Sequence, residues 1–293
     1  MPRPDRAGRA RGGQFATRTL LASVTLVAFA GMFLPLIVIV GASLTAGKLI
    51  QFPPEGLSLQ YYLLAAQRSD FINAFWVSIL VGVGSSLIAM LIGVPAAIGL
   101  VRYKFPGRGF ISTAIMSPIM VPALVTGILL INWYSLGLGW PSSVPLLIAG
   151  HLVITLPFVV RLSMASLTSF DPRLEIAARG LGAGSLRAFF TVTMPNIVPG
   201  LVGAFAFAFI RSFDDVGISI FLSARGVQTL PVMIFAYLTQ SYDPVILAVA
   251  SFAIVLVIVV MVVLDRVVGV AQVTMTGYGE SGKGTRRDTA SAF

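Results

Sequence analysis

Cysteine is absent from the chain, and histidine occurs once. The first absence removes disulfides, thiol nucleophiles and thiolate metal sites; the second removes any multi-histidine metal centre. Charge is scarce as well: 11% of the 293 residues are charged, 57% are hydrophobic, and mean hydropathy is +0.93. That balance excludes a soluble globular domain and fits a polytopic membrane protein. A nucleophile-elbow motif is also missing. Without it, without cysteine and with one histidine, support is negligible for an intramembrane hydrolase, which needs a nucleophile and a base buried together.

What the chain does have is long apolar runs. Hydrocarbon offers no water to backbone groups, and runs of this length far exceed barrel strands, so the spans should be helices. Six candidates lie near 19–45, 71–101, 110–134, 144–164, 196–221 and 243–264. The expected class is all-α, a polytopic membrane protein with six transmembrane helices. The expected organisation is a basic tail at 1–18, one six-helix domain at 19–267 and a flexible tail at 268–293. The first run is too long for a signal-peptide core and no A-x-A-like site closes it, so it reads as a retained helix.

Orientation follows from the cations. Arg3, Arg6, Arg9, Arg11 and Arg18 precede the first run; Arg102, Lys104 and Arg108 lie between the second and third; Arg161, Arg173, Arg179 and Arg187 surround the fourth-to-fifth connection; Arg266, Lys283, Arg286 and Arg287 follow the sixth. Only Lys48, Arg68 and Arg225 oppose them, with Arg211 left inside the fifth run. Both termini should face the cytoplasm. The net charge of +9 is spread over these inner segments, which argues for topology rather than nucleic-acid binding.

Several local features have a plain and a functional reading. His151 lies inside the fourth run, either as an interhelical hydrogen-bonding group or as a proton carrier. Gly277–Lys283 imitates a phosphate loop, but Gly284 stands where Ser or Thr should follow and no strand precedes it, so ATP binding by this chain is not expected. Ser85, Ala89, Gly93 and Ala97 form a small-residue stripe that permits close helix approach, and Gly200, Ala204 and Ala208 form another. Pro95, Pro118, Pro122 and Pro157 lie in or near spans, where they can kink helices. Trp76, Trp133, Tyr134 and Trp140 read as interfacial anchors. No internal repeat is visible, which weakens a secondary transporter of duplicated halves.

The segment 171–195 carries the sharpest signal. Asp171 followed by Pro172 is a helix start, with Asp as the cap and Pro in the first turn. Leu174, Ala177, Ala178 and Leu181 then form an apolar face. Gly182 and Gly184 can end the helix, and Ser185 can cap a second one running through Leu186, Phe189 and Phe190 toward Pro195. Two short helices meeting at a bend, with Arg173, Glu175, Arg179 and Arg187 on them, make either a knob for a soluble partner or a pair lying on lipid headgroups.

The order Ile176-Ala177-Ala178, Gly182, then Val192-Thr193-Met194-Pro195 resembles the signature of permease subunits of binding-protein-dependent ABC importers of the MetI-like type. That signature usually has Glu where this chain has Ile176, and Glu175 stands one residue earlier. The resemblance runs roughly from the first span to the sixth. Ser212-Phe-Asp-Asp215 and Leu230-Pro231-Val-Met-Ile are similar to the second permease of spermidine/putrescine-type importers.

The resemblance implies a MetI-like permease fold with a cytoplasmic coupling helix between helices 4 and 5, within a loop spanning 165–195. Its ATPase-coupling residues would be Asp171, Arg173, Glu175, Ile176, Ala177, Ala178, Gly182, Ser185 and Pro195. It further implies a second permease subunit that is a distinct paralogue, two ATPase subunits that bind ATP and Mg, a periplasmic binding protein and a bacterial inner-membrane location. This chain would then carry no catalysis and no cofactor. The cargo would be a polyamine or a similar small organic solute.

For the pathway, Asp214 and Asp215 are candidates because intramembrane carboxylates are costly and tend to face cavities or partners. Arg211 precedes them by three and four residues, the spacing of a local ion pair. Gate contact and local pairing both stay open at this point; together the three sum to minus one, which favours a cationic cargo. The rival is an ion-coupled carrier working without an ATPase. It would need a relay of intramembrane acids or histidines, and beyond His151 and the Asp pair the sequence has none.

Overall fold

The computed structural model describes residues 6–224 and 226–280, with side chains over 18–224, 226–263 and at 266. The helices are α1 (Arg6–Ser43), α2 (Gln60–Gln67), α3 (Ser69–Arg102), α4 (Arg108–Met116), α5 (Ala123–Ile131), α6 (Val144–Ser169), α7 (Arg173–Gly180), α8 (Ser185–Ala188), α9 (Met194–Phe213), α10 (Ser219–Leu222), α11 (Leu230–Gln240) and α12 (Val245–Glu280). Among the described residues, five segments are long and apolar enough to cross a bilayer, and a bent pair supplies a sixth if counted as one span.

The chain divides into two compact units. One comprises Met1–Gln67 and Gln240–Ile254. In it the Tyr62 hydroxyl lies 2.6 Å from both Ser43 Oγ and Ser251 Oγ, so a hydroxyl chain joins α1, α2 and the start of α12. The most apolar part of α1 is not buried by any of the described residues, as suits a helix whose solvent is lipid.

The other unit, Arg68–Thr239 and Val255–Phe293, holds the functional segments. Its centre is the mutual packing of α3, α6 and α9. Lipid removes the hydrophobic drive between helices, so close backbone approach has to supply the contact. Ser85, Ala89, Gly93 and Ala97 are all buried on α3, and a Cβ at Gly93 would stand 2.8 Å from Val159 Cγ1 of α6. On α9, Ala204 and Ala208 are buried and a Cβ at Gly200 would collide with Ser166. Both stripes therefore serve packing.

The third run, expected over 110–134, is sharply bent. Arg108–Met120 and Ala123–Gly137 are bent by 102° at Val121. Pro122 forces the residue before it out of the helical region, and Val121 sits at φ −90°, ψ 130°. Pro35, Pro95, Pro157 and Pro199, by contrast, lie inside continuous helices. The fifth run also ends early, at Phe213 rather than 221, because Asp215 Oδ2 accepts from the Ile218 and Ser219 N–H groups at 2.8 and 3.2 Å and so starts α10.

Helix also extends beyond the expected tail boundaries. α1 begins at Arg6, where Ala and Arg favour helix, and α12 runs on to Glu280 by propagation from an existing helix. The phosphate-loop-like Gly277–Lys283 runs past Glu280, so Ser281, Gly282 and Lys283 lie outside the described residues.

Candidate functional site

The segment between α6 and α9 is built by local chemistry. Asp171 Oδ1 accepts from the Arg173 N–H at 2.9 Å, and Pro172 sits in the helical region at φ −66°, so the expected start is realised. The end is a Schellman motif: Gly182 N–H donates to Arg179 O at 3.0 Å and Ala183 N–H to Ala178 O at 3.1 Å, with Gly182 at φ +92°. Only glycine takes that conformation without cost.

The second half differs from expectation. Ser185 does not cap; Gly184 occupies the N-cap and Ser185 is the first helical residue, with no side-chain cap bond. Nor does a separate short helix follow. α8 passes through a π segment, Phe189–Thr193, directly into α9, giving one helix from Ser185 to Phe213. Met194 N–H reaches back to Phe189 O, a five-residue step. Pro195 follows immediately; it has no N–H to give, and this is a natural place for the register to change. The Thr191 hydroxyl and Asn196 amide occupy the Arg187 and Val192 carbonyls at 2.6 and 2.7 Å.

The apolar face of this knob is left uncovered by the described residues. No residue of α7 is buried, Ile176 is 65% and Leu181 91% exposed, and Leu174, Leu186 and Phe190 are exposed as well. Ala177 is exposed and Ala178 half-buried, both on α7, while Pro195 is exposed on the π-to-α9 junction. Arg173, Arg179 and Arg187 stand on the same exposed segment.

Glu175 does something else: it turns back toward the spans. Its Oε2 receives Arg102 Nη2 at 2.7 Å and the Thr193 hydroxyl at 2.6 Å. Burial pushes its carboxyl up, but the Thr193 hydroxyl and the Arg102 guanidinium outweigh that and hold it below its ordinary value. Glu175, one of the expected ATPase-coupling residues, thus faces Arg102 and Thr193. Beside it opens a groove of about 460 Å³ lined by Val101, Arg102, Leu167, Thr168, Glu175 and Arg179, among others.

At the other end of α9, Arg211 pairs with Asp214 at 3.4 Å and with Asp215 at 3.3 Å. Asp215 is buried and its second oxygen is taken by α10 amides, so its role in the fold is a cap. The Asp214 side chain is 63% exposed. His151, fully buried on α6, places Nδ1 2.6 Å from Ser212 Oγ and Nε2 2.9 Å from Ser219 Oγ, while Ser85 on α3 donates to Ser212 at 3.1 Å. This polar chain staples the α9–α10 break to α3 and α6. Of the aromatic anchors, Trp76, Trp133 and Trp140 are exposed, and Tyr134 stacks on Trp140 at 5.6 Å.

Residues 89–271, which include α7, Gly182 and Asp214, match the family described as binding-protein-dependent transport system inner membrane component. The chain belongs to that permease family. This permease is 29% identical over 234 residues to the putrescine transport system permease protein PotI of Escherichia coli K12, across 78% of this chain and 83% of that one. It is 28% identical to the spermidine/putrescine transport system permease protein PotC of the same organism, across 80% and 88%. Among solved structures, a chain of a bacterial ABC transporter that imports the polysaccharide alginate superposes with a TM-score of 0.62 at 21% identity, covering 91% of the permease and 99% of that chain. A chain of the inward-facing MetNI methionine transporter gives 0.58 at 21% identity, covering 69% and 95%. These structural likenesses show the fold.

Two residues of the permease site went unread in the sequence. Arg102 counted there only as a topology cation, and Thr193 only as a motif spacer. The available signal was Glu175 itself, the lone acid among the arginines of α7.

Proposed function

We propose that this permease is one half of the translocation pathway of an ATP-driven importer, docking through α7, Gly182 and the start of α8 on a separate ATPase subunit. The observation that carries this reading is the knob itself: a helix with no buried residue, closed by a positive-φ glycine, presenting Ile176, Leu181 and Leu186 with arginines around them. Unpaired apolar side chains on a segment this basic fit a partner groove better than they fit water. The distribution of Lys and Arg supports a cytoplasmic position for the knob and for both termini.

In this reading two ATPases close on ATP and draw two coupling loops together, one from this chain and one from a second, distinct permease. The transmembrane cavity then turns from inward-facing to outward-facing, and a periplasmic binding protein delivers cargo. Hydrolysis resets the states, so transport is alternating access biased by differential binding. ATP and Mg act on the partner. The cargo we infer is a polyamine or similar small organic cation; the printed names of PotI and PotC support it, as does the exposed carboxylate of Asp214.

The test is ATP hydrolysis by the co-expressed complex in lipid, with and without binding protein and putrescine, for wild type and Gly182→Val. Stimulated hydrolysis that the variant loses supports the reading. Uptake that runs on a proton gradient, with no ATPase co-purifying, refutes it.

A further inference from the structure

We propose that Arg102 is the positioning residue through which α7 moves α3, a claim that rests on the reading of α7 as the ATPase-docking element. Chain connectivity ties α7 to α6 through Phe170–Pro172 and to α9 through Leu181–Gly184, but gives it no link to α3. No buried residue of α7 anchors it there either.

Arg102, the last residue of α3, closes that gap. Its Nη2 and Nη1 reach Glu175 Oε2 and Oε1 at 2.7 and 3.3 Å, its Nη2 reaches Thr193 Oγ1 at 3.2 Å, and its guanidinium carbon lies over the Phe189 ring, 5.2 Å from the centroid. Thr193, fully buried, donates in turn to Glu175. A single guanidinium therefore gathers the end of α3, the knob, and the π segment that leads into α9.

The geometry has the features that lift an ion pair above the surface median: a two-point Arg–carboxylate contact, a third hydrogen bond, and partial burial of both side chains, 29% and 15% exposed. With Arg102 gone, α7 keeps its two covalent connections and the Thr193–Glu175 bond to the π segment, but loses the hydrogen bonds that tie it to α3. It could then shift with the ATPase while α3, the central helix of its unit, lags behind. Glu175 one position before the usual motif acid would thus serve an internal link.

The experiment uses the whole co-expressed complex in lipid. A single cysteine at the exposed Leu91 of α3 carries an environment-sensitive fluorophore, and the readout is the fluorescence change on ATP and vanadate trapping, scaled to ATPase bound. Arg102→Gln is expected to lower that response about tenfold, within the usual range of coupling energies, with the ATPase still attached. The double variant Arg102→Glu/Glu175→Arg is expected to restore it, because the Thr193 hydroxyl can donate to either partner and accept from the other.

An Arg102→Gln response equal to wild type, or no recovery in the double variant, overturns the proposal. If Arg102→Gln does not assemble, Glu175→Gln, which removes the carboxylate that Arg102 grips, takes its place, and an undiminished response there overturns it equally. A wild type that retains no ATPase and shows no nucleotide response defeats the docking reading itself and this proposal with it.

Discussion

Replacing Gly182 tests whether the knob works by its backbone shape. Gly182 sits at φ +92°, and a Cβ added there meets nothing within 4 Å. Crowding therefore contributes nothing, and only the conformational penalty of a left-handed residue remains, about 1–2 kcal/mol. The Schellman bonds at 3.0 and 3.1 Å need that conformation, so the variant loop spends a smaller fraction of time in the docking shape. Apparent affinity falls by that fraction, and about 1.4 kcal/mol corresponds to tenfold. For Gly182→Ala we expect ATPase affinity to weaken about tenfold. Asn tolerates the left-handed region better and should lose less; Val, β-branched, should lose more. The assay is titration of purified ATPase against the permease in nanodiscs without nucleotide. A flat series, or Ala binding more tightly than Asn, would refute the conformational argument.

Three further expectations follow from single contacts. Glu175 is held below its ordinary value of 4.5, so its contribution is complete above that pH and is lost as pH falls through the depressed value; the gap in thermal stability between wild type and Glu175→Gln should stay constant through neutrality and shrink only in acid, and a gap that widens in acid would contradict this. Gly93→Leu should destabilise the detergent-solubilised protein by about 1–3 kcal/mol through overpacking against Val159, whereas Gly93→Ala, which offsets a smaller clash with better helix propensity, should stay close to wild type in the same melt. His151→Ala leaves two buried hydroxyls short of a partner and should cost about 1–3 kcal/mol, with Gln recovering part; an unchanged melting temperature for Ala would remove His151 from the account.

Legibility in the sequence followed the range of the interaction. Asp171 and Gly182 act on backbone groups within a few residues, and both were readable as cap and terminator. The stripes through Gly93 and Ala204 were readable because helical spacing alone brings small residues to one face. Prolines were not readable as breaks: Pro95, Pro157 and Pro199 are absorbed by continuous helices while Pro122 ends one. The early end of α9 depended on Asp215 turning forward onto α10 amides rather than outward. Ser185 matched the cap preference, but Gly184 already held that place. The Arg102–Glu175 contact joins residues 73 apart, and no local pattern announces it.

The permease has no cysteine, so a single introduced thiol reports on one position alone. The most direct measurement is crosslinking from Leu181→Cys in native membranes holding the co-expressed ATPase, with Leu26→Cys on the exposed face of α1 as control. The account predicts a product of permease plus ATPase from position 181, changing in yield with ATP, and none from position 26. Equal yields from both positions, or no ATPase product from 181 while transport persists, would contradict it.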